Sequence, residues 1–314
     1  MKSFRSAFAS MGCPCELQLF APSEAEARRV AALAVAEVAR LDAKYSLYRD
    51  DSVLAEINRV AAAGGRIDVD AETARLLDYA DACHRESGGL FDVTAGALRA
   101  VWRCADGALP EPVRIEQALA RVGWQRLVWR EPELAFPLPG SEVDLGGVVK
   151  EYAADRVVAL CRAEGARAGL VNLGGDLAII GPRPDAQPWR IGVRHPRRRD
   201  ELAGTFELYE GALASSGDYE RCVVIDGERY GHILHPRTGW PVRHLASVSV
   251  VADLCVVAGS ASTIAMLREE QGPGWLAAIG APHHWIDVRG SSGGTLASPE
   301  PGRSAEPWRA AGHP

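Results

Sequence analysis

Hydrophobic and polar positions divide the chain into a first half patterned mainly for helices and a second half patterned mainly for strands. Cys15 to Phe20 alternates in the manner of a half-buried strand. Ser23 with Glu26 forms a capping-box pattern. It opens a predicted helix that carries Val30, Ala34, Val38 and Leu41 on one face. A loop holding Tyr45, Ser46 and Tyr48 is expected next. Asp70 is placed to cap a second helix running through Glu86, which Ser87-Gly88-Gly89 stops. Ile115 to Val122 reads as a short helix ended by Gly123, and Val148 to Glu164 as a third long helix ended by Gly165.

Beyond that point the period changes to two. Gly169 to Leu173, Trp189 to Arg194, Thr205 to Tyr209, Ala212 to Ser215, Arg221 to Ile225 and Leu245 to Val251 are predicted strands. A helix from Ala258 to Arg268 and a strand from His284 to Val288 follow. From Ser291 the chain is Gly, Ser, Pro and Ala with little apolar content, which predicts a disordered tail over 291–314. The pattern contains no internal repeat and no linker. The expectation is one α+β domain over 1–290, with a mainly antiparallel sheet and flanking helices.

Composition changes this picture little but narrows the partners. A chain of 314 residues is ample for a real core, and 47% hydrophobic with 24% charged residues is ordinary for a folded protein. The net charge of −6 argues against a nucleic-acid partner. Arg197-Arg198-Arg199 is followed at once by Asp200 and Glu201, so the run reads as a solvated loop. Seven scattered cysteines suggest reduced thiols. Lys2 and Arg5 stand ahead of Phe8 to Cys13 as in an export signal, but Ser3, Arg5, Ser6 and Ser10 interrupt the apolar run such a signal needs. No segment reaches the roughly 18 apolar residues of a membrane span. The expectation is therefore a cytoplasmic protein with no membrane partner.

Four segments carry candidate chemistry. Asp144-Leu145-Gly146-Gly147 runs into the helix that begins near Lys150, where free backbone amides and a lysine ammonium suit an anion. Asn172-Leu173-Gly174-Gly175-Asp176 and Ser215-Ser216-Gly217-Asp218-Tyr219 are turns at strand ends. Each reads equally well as a plain turn or as a cradle for ribose and polyphosphate. Tyr230 to Pro241 contains His232, a candidate general base, and a Pro236-Arg237-Thr238-Gly239 turn.

Taken together and in order, these segments resemble the ApbE-type FAD:protein FMN transferases over about residues 8 to 289. Met11-Gly12 matches the family's Met-Gly-Thr, with Cys13 in place of Thr. Ser46-x-Tyr48, Ser52 and Asn58 match Ser-x-Tyr…Ser…Asn, and Phe91-Asp92-Val93-Thr94 matches Phe-Asp-Pro-Thr. Asp144 to Asp155 matches Asp-Leu-Gly-Gly-x-x-Lys-Gly-Tyr-Ala-x-Asp, with Glu151 replacing a Gly. Asn172 to Asp176, Ser216 to Glu220 and His232-Ile233-x-x-Pro236-x-Thr238-Gly239-x-Pro241 complete the set, with His235 in place of a common acidic or Asn residue.

The resemblance implies an FAD site. Met11 and Tyr48 would hold the isoalloxazine, and Asn58, Asp92, Lys150, Gly174, Gly175, Asp176, Ser216, Gly217, Asp218 and His232 would line the rest. It implies transfer of FMN from FAD to a Thr or Ser hydroxyl of an acceptor protein, with release of AMP. His232 would be the base, and magnesium, held in part by Thr263, would neutralise the pyrophosphate. The family's Ala-Asp-Ala-x-x-Thr, however, stands here as Ala258-Gly259-Ser260-Ala261-Ser262-Thr263, so the metal-binding Asp is replaced by Gly259. Glu151 is then either an exposed first-turn residue favouring the helix dipole or a carboxylate arriving from another direction; Asp253 is a further candidate. Two other functions fit the same residues: an FAD-binding homologue that does not transfer, and an FAD pyrophosphatase.

Overall fold

The computed structural model describes residues 1–102, 108–198 and 200–296. Its centre is an eight-stranded sheet in which every neighbouring pair is antiparallel. The chain enters through β1 (Lys2–Ser10), turns at Met11-Gly12, and returns as β2 (Cys13–Ala21). The residues with the look of an export signal are thus an edge strand of the sheet, and Met11 lies in the turn rather than in a strand.

α1 (Glu24–Tyr45) follows. Ser23 Oγ accepts from the Glu26 amide at 3.3 Å, and Val30, Ala34, Val38 and Leu41 are buried as the periodicity predicts. Tyr45 belongs to this helix and is buried, where the sequence had suggested a loop. The sequence reading also passes over α2 (Val53–Ala63), which Ser52 caps through the Ala55 amide at 2.9 Å. Next come β3 (Gly65–Asp68) and α3 (Ala71–Glu86). Asp70 caps α3 through the amides of Glu72 and Thr73. Two short helices, α4 (Gly96–Trp102) and α5 (Pro112–Leu119), and the short strands β4 (Val128–Arg130) and β5 (Glu133–Phe136) complete the first half. β3, β5 and β4 form a small separate sheet.

α6 (Val149–Ala163) leads back to the large sheet through the hairpin of β6 (Gly169–Leu173) and β7 (Asp176–Gly181). β8 (Trp189–Arg194) and β9 (Leu202–Leu208) form a two-stranded ribbon. β10 (Ala212–Gly217) joins the large sheet beside β7, and β11 (Cys222–Ile225) with β12 (Glu228–Gly231) makes a second ribbon. β13 (Leu245–Ala252), α7 (Cys255–Leu267), α8 (Gly272–Ala278), β14 (His283–Asp287) and β15 (Ser292–Gly294) finish the fold. β15 pairs with β14, so the sheet reaches beyond residue 290, where the tail was expected to begin. Residues 297–314 of that expected tail lie outside the described residues.

The main core lies between one face of the sheet and the helices. Leu17, Leu173 and Val248 from strands meet Val38, Leu41, Val157 and Ile264 from helices, all buried. At about 1.5–3 kcal/mol for each large apolar side chain removed from water, this contact is what holds the layers together. The β8–β9 ribbon covers the other face with Trp189, Ile191, Val193 and Phe206, packed on Leu170, Ile179 and Leu213.

α7 is buried on nearly all sides. Its run Ala258-Gly259-Ser260-Ala261-Ser262 has no large side chain, which lets α6 and the sheet approach closely. α7 has no side-chain cap of its own. Asp155 of α6 supplies one, accepting from the amides of Cys255 at 2.8 Å and Val256 at 3.0 Å.

Candidate functional site

The site forms where the N-terminal end of α6 meets the turn between β6 and β7 and the end of β10. The approach to α6 is fixed by residues distant in sequence. Asn58 grips Val143 from both ends of its amide, donating to the carbonyl at 2.9 Å and accepting from the N–H at 2.7 Å. The Asp144 amide donates to the Val93 carbonyl at 2.7 Å, and Asp144 Oδ1 accepts from the Gly146 amide at 2.7 Å. Val148, at the head of α6, makes no side-chain cap; the Val148 and Val149 amides donate to the Leu145 carbonyl, each at 2.9 Å.

Lys150 leaves that first turn and places Nζ 2.6 Å from Asp176 Oδ2, at the start of β7. Burial opposes the lysine charge, but the adjacent Asp176 and Glu151 carboxylates outweigh it, and the Lys150 pKa rises. Asp176 Oδ1 accepts from the Ser215 amide at 3.1 Å and so ties β7 to β10. Glu151 is buried, not exposed, and its pKa is pushed up first by burial and then by the facing Asp176 carboxyl. The reading of Glu151 as a solvated helix-dipole residue is therefore overturned. Asp253 is exposed between β13 and α7.

The β6–β7 turn is built as its sequence predicts. Gly174 has φ 65° and Gly175 φ 104°, and Asn172 Oδ1 accepts from the Gly175 amide at 2.8 Å. A Cβ on Gly174 would stand 2.7 Å from Cys13 Sγ and 4.0 Å from Lys150 Nζ, so glycine lets β2 and α6 close over this turn. The Cys13 thiol has a lowered pKa, chiefly through its contact with Cys15 and then, against burial, through the Lys150 charge. At the end of β10, Ser216 Oγ lies 2.7 Å from Ser262 Oγ and 3.0 Å from Thr263 Oγ1, which joins β10 to α7. Gly217 is required by the Tyr219 ring, whose nearest atom would lie 2.4 Å from a Cβ there.

At the outer rim the Met11 backbone is held at φ 53°, a left-handed conformation that non-glycine residues rarely adopt. Asp42 of α1 anchors it: Oδ2 accepts from the Met11 amide at 2.7 Å and from Ser10 Oγ at 2.8 Å. Tyr48 follows the end of α1 and is 77% exposed. Its loop is shaped by Ser46 Oγ, which accepts from the Tyr48 amide at 3.1 Å, and by Ser52 Oγ, which donates to the Ser46 carbonyl at 2.7 Å. His232 follows β12 with Nδ1 3.3 Å from the Arg221 carbonyl. The ring reaches solvent but stands among dense protein atoms. Desolvation first, and then the Arg221 charge, push its pKa below the ordinary histidine value. That favours the neutral, proton-accepting form near pH 7.

Several residues expected to touch cofactor also hold loops. Asn58 is the strap on Val143 described above. Asp92 is buried, accepting from the Thr94 amide and hydroxyl with Oδ1 and from the Trp124 amide with Oδ2. Asp218 is clamped by both guanidinium nitrogens of Arg197, at 2.6 and 2.7 Å. Arg197 is therefore not part of a merely solvated loop, although Arg198 is exposed and pairs with Glu201. Lys150, Gly174 and Asp176 do meet, and Asp176 bonds β10 at Ser215, one residue before the Ser216–Thr263 pair. The sequence reading missed Asp42 and Asp155; the first sits in the last turn of α1 with no local motif, and the second lies within a matched motif that does not reveal its partner.

A model of the ApbE family matches residues 11–283. An FAD:protein FMN transferase of Klebsiella pneumoniae (strain 342) is 32% identical over 248 residues, which cover 77% of this chain and 75% of that protein. One from Chlamydia pneumoniae is 33% identical, covering 72% of each. Among solved structures, the ApbE protein of Thermotoga maritima superimposes with a TM-score of 0.86 at 30% identity, covering 94% of this chain and 97% of its own. The flavin transferase ApbE from Vibrio cholerae gives 0.82 at 25% identity, covering 94% and 98%.

Proposed function

This chain belongs to the ApbE family, and from that premise we propose that it is an FAD:protein FMN transferase that moves FMN to a Thr or Ser hydroxyl of an acceptor protein and releases AMP. The observation that carries the reading is that Lys150, from the first turn of α6, meets Asp176, which in turn bonds β10 one residue before the Ser216–Thr263 pair. Amides, an ammonium and hydroxyls gathered there suit the pyrophosphate of a dinucleotide.

In the transfer, the acceptor oxygen bonds to the phosphorus of the FMN half. The bond from that phosphorus to the bridging oxygen breaks, and AMP leaves with the electron pair. The hydroxyl proton passes to His232, whose lowered pKa keeps the imidazole able to accept it near neutral pH. Lys150, held charged by Asp176, balances negative charge on the pyrophosphate. Met11 and Tyr48 offer a thioether and an aromatic face to the flavin ring.

The oxygen donors of Asp176, Ser216 and Thr263 fit a hard divalent cation. No group of three or more His, Cys, Asp or Glu suited to a metal is present among the described residues, so substrate and water oxygens would have to fill most of the shell, as magnesium's shell allows. Asp176 and Thr263 would hold it, and when bound it would supply further charge neutralisation at the pyrophosphate. No helix among the described residues is long and apolar enough to cross a membrane; the compartment we propose is the cytoplasm.

The test mixes the full chain with FAD, Mg²⁺ and a protein bearing an accessible acceptor threonine. Covalent flavin on the acceptor with matching AMP supports the reading. FAD retained without either product, with Mg²⁺ or Mn²⁺, would overturn it in favour of a non-transferring FAD binder. FMN and AMP released free in solution would indicate a pyrophosphatase.

A further inference from the structure

α6 and α7 pack in an antiparallel register that can be read from two contacts. Asp155 caps α7 at Cys255 and Val256. One turn earlier on α6, Glu151 lies against Gly259, one turn later on α7. A Cβ on Gly259 would stand 2.5 Å from Glu151 Cγ, and 3.0 Å from both Cδ and Oε1. The Glu151 side chain therefore occupies the space that any side chain at 259 would need. Thr263 follows Gly259 by four residues and shares its helix face, and its hydroxyl is bonded to Ser216.

Glu151 is only 8% exposed, and its Oε2 is fully buried with no hydrogen-bond partner. It faces the Asp176 carboxyl, whose Oδ2 meets Lys150 and takes no other partner. Two acids drawn together in a buried place are costly while both are charged, and either a proton held by the pair or a cation that joins them removes that cost. One lysine stands beside two carboxylates, so a bound cation would balance the pair without that proton.

We propose that Glu151 of α6 is a ligand for a divalent, oxygen-seeking cation, supplying from the opposite helix the carboxylate that Gly259 cannot. Gly259 and Glu151 act as one unit: the glycine makes room, and the glutamate fills it. Asp176 and the Thr263 hydroxyl complete the protein's share, and phosphate oxygens and water take the remaining positions. The proposal rests on the transferase reading only for the nucleotide that faces the cation; the carboxylate pair and its orphaned oxygen stand without it.

It follows that Gly259→Asp alone does not add a ligand, because its side chain collides with Glu151. The experiment uses the full chain, stripped of metal and saturated with FAD but without acceptor, and reads Mn²⁺ binding from the resonance of free Mn²⁺. Wild type is compared with Glu151→Gln, Gly259→Asp and the double variant Glu151→Gly with Gly259→Asp, each checked by thermal melting. Glu151→Gln keeps the shape and should weaken Mn²⁺ binding on the order of tenfold or more. Gly259→Asp should weaken it too, and the double variant should recover most of the loss. A merely packed glutamate would leave Glu151→Gln at wild-type affinity, and that result overturns the proposal. So does a folded double variant that binds no better than Glu151→Gln; if Glu151→Gln does not fold, the double variant is compared with Gly259→Asp and decides alone. Transfer activity does not enter this readout, so intact Mn²⁺ binding without covalent flavin would count against the transferase reading and leave the cation site standing.

Discussion

The two ends of the site are built on opposite principles. The inner end, around Lys150, Glu151, Asp176 and Thr263, is buried and charged, and each group is held by elements far apart in sequence. The outer end, around Met11, Tyr48 and His232, is a rim of turns and loop ends, with Tyr48 largely in water and Met11 in an unfavourable backbone conformation. Charges at the inner end interact through protein and weigh on folding, whereas side chains at the rim lose little when the site is empty. Substitution inside should therefore disturb stability and ligand together, and substitution outside should disturb ligand alone.

The strongest attempt to break this contrast is Lys150→Ala. The ammonium is 29% exposed and its Asp176 partner 3%, so removal leaves buried acids without their cation. Unfolding in urea should show a loss of about 3 kcal/mol. An unchanged stability would mean that the inner charges are not coupled to folding.

Asp42→Ala tests how the outer turn is anchored. It removes two hydrogen bonds from the Ser10–Met11 turn, and with them the restraint on a left-handed residue. The expected cost is about 1–2 kcal/mol, together with weaker FAD binding in a fluorescence titration. Loss of affinity without loss of stability would show that the turn is held by the strand pairing alone.

Tyr48→Ala should leave the melting temperature nearly unchanged, because the ring is mostly exposed. Its effect should fall on FAD affinity, by about 0.5–1.5 kcal/mol if the ring faces the flavin. The smallest effect is one of pH. The His232 pKa is lowered by desolvation and by Arg221, and transfer needs the neutral ring. The base is therefore competent above its folded pKa and is lost as pH falls through it. The acid limb of kcat/KM should lie below the usual histidine value near 6.5. His232→Asn should abolish that limb; a limb unaltered by this change would assign the base elsewhere.

Much of the fold could be read locally. Ser23 and Asp70 cap the helices they were expected to cap, and β6 and β8 begin and end where alternation places them. α2 was legible too, with Ser52 followed by Leu54, Ile57 and Ala61 on one face. β1 is harder to read, because only alternate residues are half-buried and it forms the edge of the sheet.

Residue roles were less legible than residue positions. Asn58, Asp92 and Asp218 stand in the motifs, and each spends polar atoms on the backbone or side chain of a neighbouring segment. A motif residue that shapes a loop and one that touches a ligand look alike in sequence.

What the sequence determined by itself was most of the longer elements, the glycine turns and the family, because caps, periodicity and positive φ depend on residues within a turn or two of one another. What only the tertiary structure decided was how the substitutions at 151 and 259 relate. Neither position predicts the other locally. The antiparallel register of α6 on α7 brings them together, and a side chain four atoms longer than glycine's hydrogen then changes from a surface charge into the buried neighbour of Asp176.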